Sequence, residues 1–214
     1  MSHTTRIVFL ALLFGALSVS ALADSETFQA TINTSGQTGN YGYLDLELNP
    51  GSLSGFGPVT LTISDFTGAA LNPSDPNNDE MGTASGSLPG PLILNNSGFN
   101  DYYEGMTFGS EITFDATLSG SGVSLSGGAP FTSGTTFAAV FCDATCSNNL
   151  FVSDATTGAA VLLNVGANGA ITTAGPVMSV PEQGRWPFLL SACAAMLLAF
   201  WRRRALLAAK TIAC

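Results

Sequence analysis

Apolar and polar residues alternate in short runs over most of the chain, with glycine- and asparagine-rich turns between them. That period of two predicts β-strands with one face inward. Phe28 to Asn33 alternates and places Phe28, Ala30 and Ile32 on one face. Thr34 to Gly39 reads as a turn. Tyr41 to Leu48 follows with Leu44, Leu46 and Leu48 inward, Asp45 and Glu47 on the solvated face, and Asn49-Pro50-Gly51 as its stop. Val59 to Phe66 alternates through Val59, Leu61 and Ile63. Asp65 would fall on that face and Phe66 breaks the register, so a β-bulge is predicted there. Leu71 to Gly82 reads as a polar loop. Further strands are predicted at Leu92–Leu94, Tyr102–Phe108, Glu111–Leu118, Val123–Leu125, Thr135–Cys142, Leu150–Val152, Ala160–Val165 and Ala170–Thr173. About eleven short strands, no 3.6-residue period and no fixed repeat predict an all-β fold. An antiparallel β-sandwich, with the jelly roll among its forms, is the expected architecture.

The two ends follow other rules. Arg6, the apolar run Ile7 to Val19 and the small-x-small set Ala21-Leu22-Ala23 have the order of a signal peptide, with cleavage expected after Ala23. An uncleaved anchor is the alternative. At the other end, Trp186 to Trp201 holds 16 residues without a charge and is followed by Arg202, Arg203 and Arg204. As a helix it would span about 24 Å at 1.5 Å per residue. A bilayer core is about 30 Å thick and usually takes about 20 residues. A tryptophan at each end suits the interfaces, and three arginines hold their end in the cytoplasm. A buried core helix is the alternative. The expected organisation is a signal peptide at 1–23, a β-sandwich at 24–179, a C-terminal segment at 180–204 with its membrane helix at 186–201, and a cytoplasmic tail at 205–214.

Charge narrows the chemistry. Every lysine and arginine lies at Arg6 or from Arg185 onward, and the single histidine is His3. All 15 acids lie between Asp24 and Glu182. The central domain therefore has no cationic side chain. No catalytic residue is assigned: neither Ser-His-Asp nor Cys-His can be built, no lysine can form a Schiff base, and no histidine can bind zinc. Nucleic acid would be repelled. Carboxylate chemistry, calcium, neutral sugars or no chemistry remain.

Val180-Pro181-Glu182, the uncharged run and the arginine cluster, in that order, resemble a PEP-CTERM sorting signal. Gln183 stands where that family has its second proline, and ten residues follow the arginines. Thr31-Ile-Asn-Thr-Ser-Gly36 and Gly42-Tyr-Leu-Asp45 look like a recurring ectodomain type of the same family, one without an assigned activity. The resemblance implies recognition by an exosortase, a membrane-embedded cysteine protease-like enzyme. That enzyme would remove the tail and release the protein to the envelope or extracellular polymer of a Gram-negative bacterium.

Four clusters are candidates for chemistry. Cys142 and Cys146, after a predicted strand, are expected to form a disulfide in an oxidising compartment; Cys-x-x-Cys redox spacing is absent. Asp75, Asp79 and Glu80, among three asparagines, are candidate calcium ligands, though without EF-hand spacing. A solvated loop is the alternative. Asp101-Tyr-Tyr-Glu104 joins rings to acids, as a sugar cleft does; a strand with one tyrosine in the core is the alternative. Glu111 and Asp115 flank Thr113 on one strand face, and many carboxylate pairs could satisfy glycosidase spacing. The expected function is a non-catalytic structural or adhesive envelope protein. A calcium-assisted carbohydrate-binding module and a carboxylate-based glycan hydrolase are the alternatives. No cofactor is expected beyond calcium. The expected partners are an exosortase, the membrane as a transient anchor, and extracellular polysaccharide.

Overall fold

The computed structural model describes residues 25–52, 55–123 and 133–180. The signal peptide with Ala21 and Ala23, and the tail with Pro181, Glu182, Trp186, Trp201, Arg202, Arg203 and Arg204, lie outside the described residues. Among the described residues no helix is long and apolar enough to cross a membrane.

The fold is all-β and antiparallel, with twelve strands among the described residues and one 3-10 turn at Ser35–Gln37. The strands are β1 (Ser25–Asn33), β2 (Tyr41–Pro50), β3 (Thr60–Leu71), β4 (Asp79–Met81), β5 (Ser85–Gly86) and β6 (Leu92–Asn95). They continue as β7 (Asp101–Ser119), β8 (Ser133–Asp143), β9 (Asn149–Leu150), β10 (Val161–Gly166), β11 (Ile171–Ala174) and β12 (Val177–Val180). The main sheet order is β11-β10-β8-β2-β7-β3-β6-β5, with β1 between β7 and β12.

β7 organises the fold. Its first half pairs with β2 (Tyr41↔Thr107 to Glu47↔Asp101) and its second half pairs with β1 (Ser25↔Ser119 to Asn33↔Glu111). The run predicted as two strands is thus one strand of 19 residues. Gly109-Ser110, read as a break, is absorbed where β7 changes partner. There the backbones of Gly68 and Gly109 come close: a Cβ on Gly68 would overlap the Glu111 carbonyl, and one on Gly109 the Gly68 carbonyl. Glycine is required on steric grounds, and Gly68 also has φ +92°.

β3 bends with it. Its pairing with β7 shifts between Ser64 and Thr67 and again before Ala69. Asp65 takes φ 55° and is exposed, which returns Phe66 to the core at 4% exposure. The bulge expected at Phe66 is present, and Asp65 does not continue the inward face.

The core lines up the residues that the alternation selected: Phe28, Ala30 and Ile32; Leu44, Leu46 and Leu48; Leu61 and Ile63; Ile112, Phe114 and Leu118; Phe137 and Phe141; Leu163 and Val165. β4, β5 and β12 were not expected. β4 forms inside the predicted loop Leu71–Gly82, because Asp79, Glu80 and Met81 find backbone partners in Tyr103, Tyr102 and Asp101. Val180, assigned to the sorting motif, is the last residue of β12 and pairs with Thr27 of β1. The β domain therefore runs one residue beyond the expected boundary at Ser179.

Candidate functional site

The side chains of β2 that point away from the core are Tyr41, Tyr43, Asp45, Glu47 and Asn49. Their cross-strand neighbours on β7 are Asp101, Tyr103, Gly105 and Thr107. On β8 they are Thr136, Ala138, Val140 and Cys142. Beyond β7, Asp79 lies opposite Tyr103 and Met81 opposite Asp101. Four strands thus bring most of the sequence-selected acids and tyrosines onto one outer face.

The tyrosines form the centre. Tyr43 and Tyr103 stack at 4.8 Å between ring centroids, and Tyr41 meets Tyr43 edge-on at 5.5 Å. The segment after β3 is laid over them. The Tyr41 hydroxyl donates to Asp75 Oδ2, and Asn72 Nδ2 donates to the same hydroxyl at 3.3 Å. Asn77 Nδ2 donates to the Tyr43 hydroxyl at 2.9 Å, and Gly105 N–H donates to Asn78 Oδ1 at 2.8 Å. Glycine at 105 is what lets Tyr41 lie across β7, because a Cβ there would overlap the Tyr41 hydroxyl. Burial and the Asp75 carboxylate raise the Tyr41 phenol; the hydrogen bond from Tyr41 lowers Asp75.

The acids lie beside this cluster. Asp45 Oδ1 and Asp101 Oδ1 are both buried and have no hydrogen-bond partner. Two buried carboxylates on neighbouring strands disfavour each other's charge, so protonation is the direction that relieves them. Burial, then Asp101 and Glu47, push Asp45 up to about 8. Burial raises Asp101 too, offset by the neighbouring Asp45. Glu47 is raised by burial and accepts from Asn49 Nδ2 at 2.8 Å. Asp45 and Glu47 are thus half-buried, where the strand pattern alone suggested a solvated face.

Cys142 and Cys146 are joined by a disulfide, with Cα atoms 4.8 Å apart. The turn it closes flanks the tyrosines, and the Tyr103 hydroxyl lies 2.8 Å from Cys146 Sγ. Burial is the main cause that pushes the Tyr103 phenol up to about 12. Within the same turn, Asp143 accepts from the Thr145 amide at 3.0 Å and the Ser147 amide at 3.1 Å, and from Asn148 Nδ2 at 2.6 Å. The Asn148 bond leads the causes that hold its carboxyl at about 2. Asp154 repeats the arrangement, accepting from the amides of Thr156 and Thr157. The shared Asp-Ala-Thr at 143–145 and 154–156 was the available sequence signal for these two turns.

The expected calcium ligands are not brought together. Asp75 is engaged with Tyr41. Asp79 and Glu80 are consecutive in a strand, so their side chains leave opposite faces: Asp79 beside Tyr103, Glu80 beside Tyr102. Among the described residues no group of three His, Cys, Asp or Glu side chains is placed to hold a metal ion. Asp101-Tyr-Tyr-Glu104 divides in the same way. Asp101 and Tyr103 face out. Tyr102 and Glu104 are buried at 4% exposure each, with the Tyr102 hydroxyl donating to Glu104 and accepting from Leu88 N–H at 3.2 Å. Burial raises the Glu104 carboxyl. Glu111 and Asp115 stay on the outer face of β7, and Gln29 Nε2 donates to Asp115 at 3.3 Å.

No known protein family matches the chain, and neither does any curated protein or solved structure.

Proposed function

We propose that the chain is a secreted protein of the cell envelope or extracellular matrix, sorted by an exosortase through its tail, and that its β domain is a non-catalytic structural or adhesive module. The architecture we infer for that domain is a jelly-roll-like β-sandwich. The exchange of partners along β7 supports it, as does the passage of the chain from β11, beside β10, to β12, beside β1.

One observation carries the non-catalytic reading. Several acids of the domain are hydrogen-bonded within the protein itself: Glu47 by Asn49, Asp75 by Tyr41, Glu104 by Tyr102, and Asp143 and Asp154 in their own turns. A carboxylate hydrolase needs two acids about 5–10 Å apart across a cleft, free to meet substrate. The sorting reading rests on the order of motif, apolar run and arginines.

The test is fractionation of the epitope-tagged full chain in bacteria with and without an exosortase. The expected result is a shortened protein in the envelope or extracellular polymer when the enzyme is present. Without it, the full-length chain should stay in the inner membrane, and a reporter after Cys214 should read cytoplasm. A periplasmic reporter, or identical distribution in both strains, overturns the proposal. Carbohydrate binding without a calcium site is the second reading, favoured by a groove of threonine and asparagine side chains beside the acid face.

A further inference from the structure

We propose that the outer sheet face carries a groove for a neutral, polyhydroxylated polymer, lying across β11, β10 and β8. This gives the adhesive reading above a ligand class and rests on it for where such a polymer would be met.

The groove is built by strand register. Thr172 of β11 lies opposite Asn164 of β10, Asn164 opposite Thr136 of β8, and Thr136 opposite Asn49 of β2. The first three, a threonine, an asparagine and a threonine, line the groove in one row perpendicular to the chain, while the Asn49 oxygen is buried. Strands lie about 4.8 Å apart, so the row in the groove is about 10 Å long. The next row on the same face is apolar: Ala174 opposite Leu162, and Leu162 opposite Ala138. The turn carrying Asp154, Thr156 and Thr157 forms a wall beside them, and the concavity so enclosed is about 410 Å³.

The chemistry of these rows selects the ligand. Threonine hydroxyls and asparagine amides both donate and accept, as sugar hydroxyls do. The Thr136 hydroxyl donates to Asn164 Oδ1 at 3.1 Å, which couples two members of the row. Ala174 and Leu162 offer apolar contact to the carbon faces of a sugar ring. Asp154 adds one carboxylate on the rim, kept ionised by the Thr157 amide and hydroxyl. Anionic polymers are disfavoured. No cation is present between residues 24 and 179, and Ala138 leads directly to Glu47 and then Asp101 in the same register. A neutral chain along the groove meets neither repulsion nor an unmatched charge.

The test is affinity electrophoresis of the detergent-solubilised full chain in native gels containing dextran, galactomannan or hydroxyethyl cellulose, with alginate as the anionic comparison. At least one neutral polymer should retard the protein, and alginate should not. Thr136→Val with Thr172→Val keeps side-chain shape and removes two hydroxyls, so binding should weaken roughly tenfold. Thr62→Val, on β3, should leave it unchanged. Asp154→Asn serves as the second variant where the double valine does not fold; it keeps an acceptor for the turn amides and should weaken binding. No retardation by any neutral polymer overturns the proposal. So does retardation unchanged in the groove variants, or equal retardation by alginate. Because binding is read in a gel, its failure leaves the sorting reading standing, which cell fractionation tests separately.

Discussion

Asp45 and Asp101, on neighbouring strands β2 and β7, each bury an Oδ1 that has no hydrogen-bond partner, and the Asp101 carboxylate adds to the burial that raises Asp45. This buried acid pair is a structural element of the sheet.

That element sets a pH dependence. The folded Asp45 is raised to about 8, above an unfolded value near 4. A raised acid stabilises the fold fully below its unfolded pKa, and the contribution is lost as pH rises through its folded value. Glu47, Asp101 and Glu104 are raised too and act with the same sign. The depressed acids Asp75, Asp143 and Asp154 act oppositely, losing their contribution as pH falls through their folded values. The melting temperature should therefore fall by several degrees between pH 5 and pH 9. Asp45→Asn, whose amide donates to Asp101 at any pH, should remove most of that slope. A flat profile in the parent protein would show that Asp45 is not raised in the fold.

The disulfide should contribute modestly. Cys142 and Cys146 are four residues apart, and a loop that short gives about 2 kcal/mol by the chain-entropy relation. Cys142→Ser should lower stability by roughly that amount in denaturant titrations. It should also free Cys146 to thiol reagents and change the ultraviolet absorption of Tyr103, whose hydroxyl contacts Cys146. Full labelling of both cysteines in the untreated native protein would contradict the bridge.

Asn100 should be among the costliest polar positions. It is fully buried; its amide donates to the carbonyls of Leu48 at 2.9 Å and Gly98 at 2.9 Å, and also to that of Asn95. Its oxygen accepts from Thr83 N–H at 2.7 Å and from the Thr83 hydroxyl. Asn100→Ala would leave several buried groups without partners, at about 3 kcal/mol or more. A loss under 1 kcal/mol in chemical denaturation would place those groups in water.

The corner of β3 and β7 should tolerate no side chain. Gly68→Ala adds a Cβ against the Glu111 carbonyl at φ +92°, and Gly109→Ala adds one against Gly68. Each should cost about 2 kcal/mol or more. Gly36→Ala, with open space around its Cβ position, should be close to neutral. Equal melting temperatures for all three would mean that the two strands do not bend together here.

The sequence by itself determined the strand class, the inward faces and the bulge at Phe66. Alternation is a local signal: Leu44, Leu46 and Leu48 must share a face once the chain is extended, whatever lies next to them. It also bounded the chemistry, since a chain with no cation between residues 24 and 179 has few catalytic options. It did not reveal that Tyr102–Phe108 and Glu111–Leu118 are one strand. Gly109-Ser110 looks like a turn until Gly68 is placed against it, and that contact joins residues 41 positions apart. Nor could it show that Asp79 and Glu80 part company on β4. The strand exists only because Tyr103, Tyr102 and Asp101 supply its hydrogen bonds. The buried pair Asp45 and Asp101 and the row Thr172–Asn164–Thr136–Asn49 belong to the same class. Each depends on which strands are neighbours and in what register, and register is fixed by long-range packing of the core, not by any one segment.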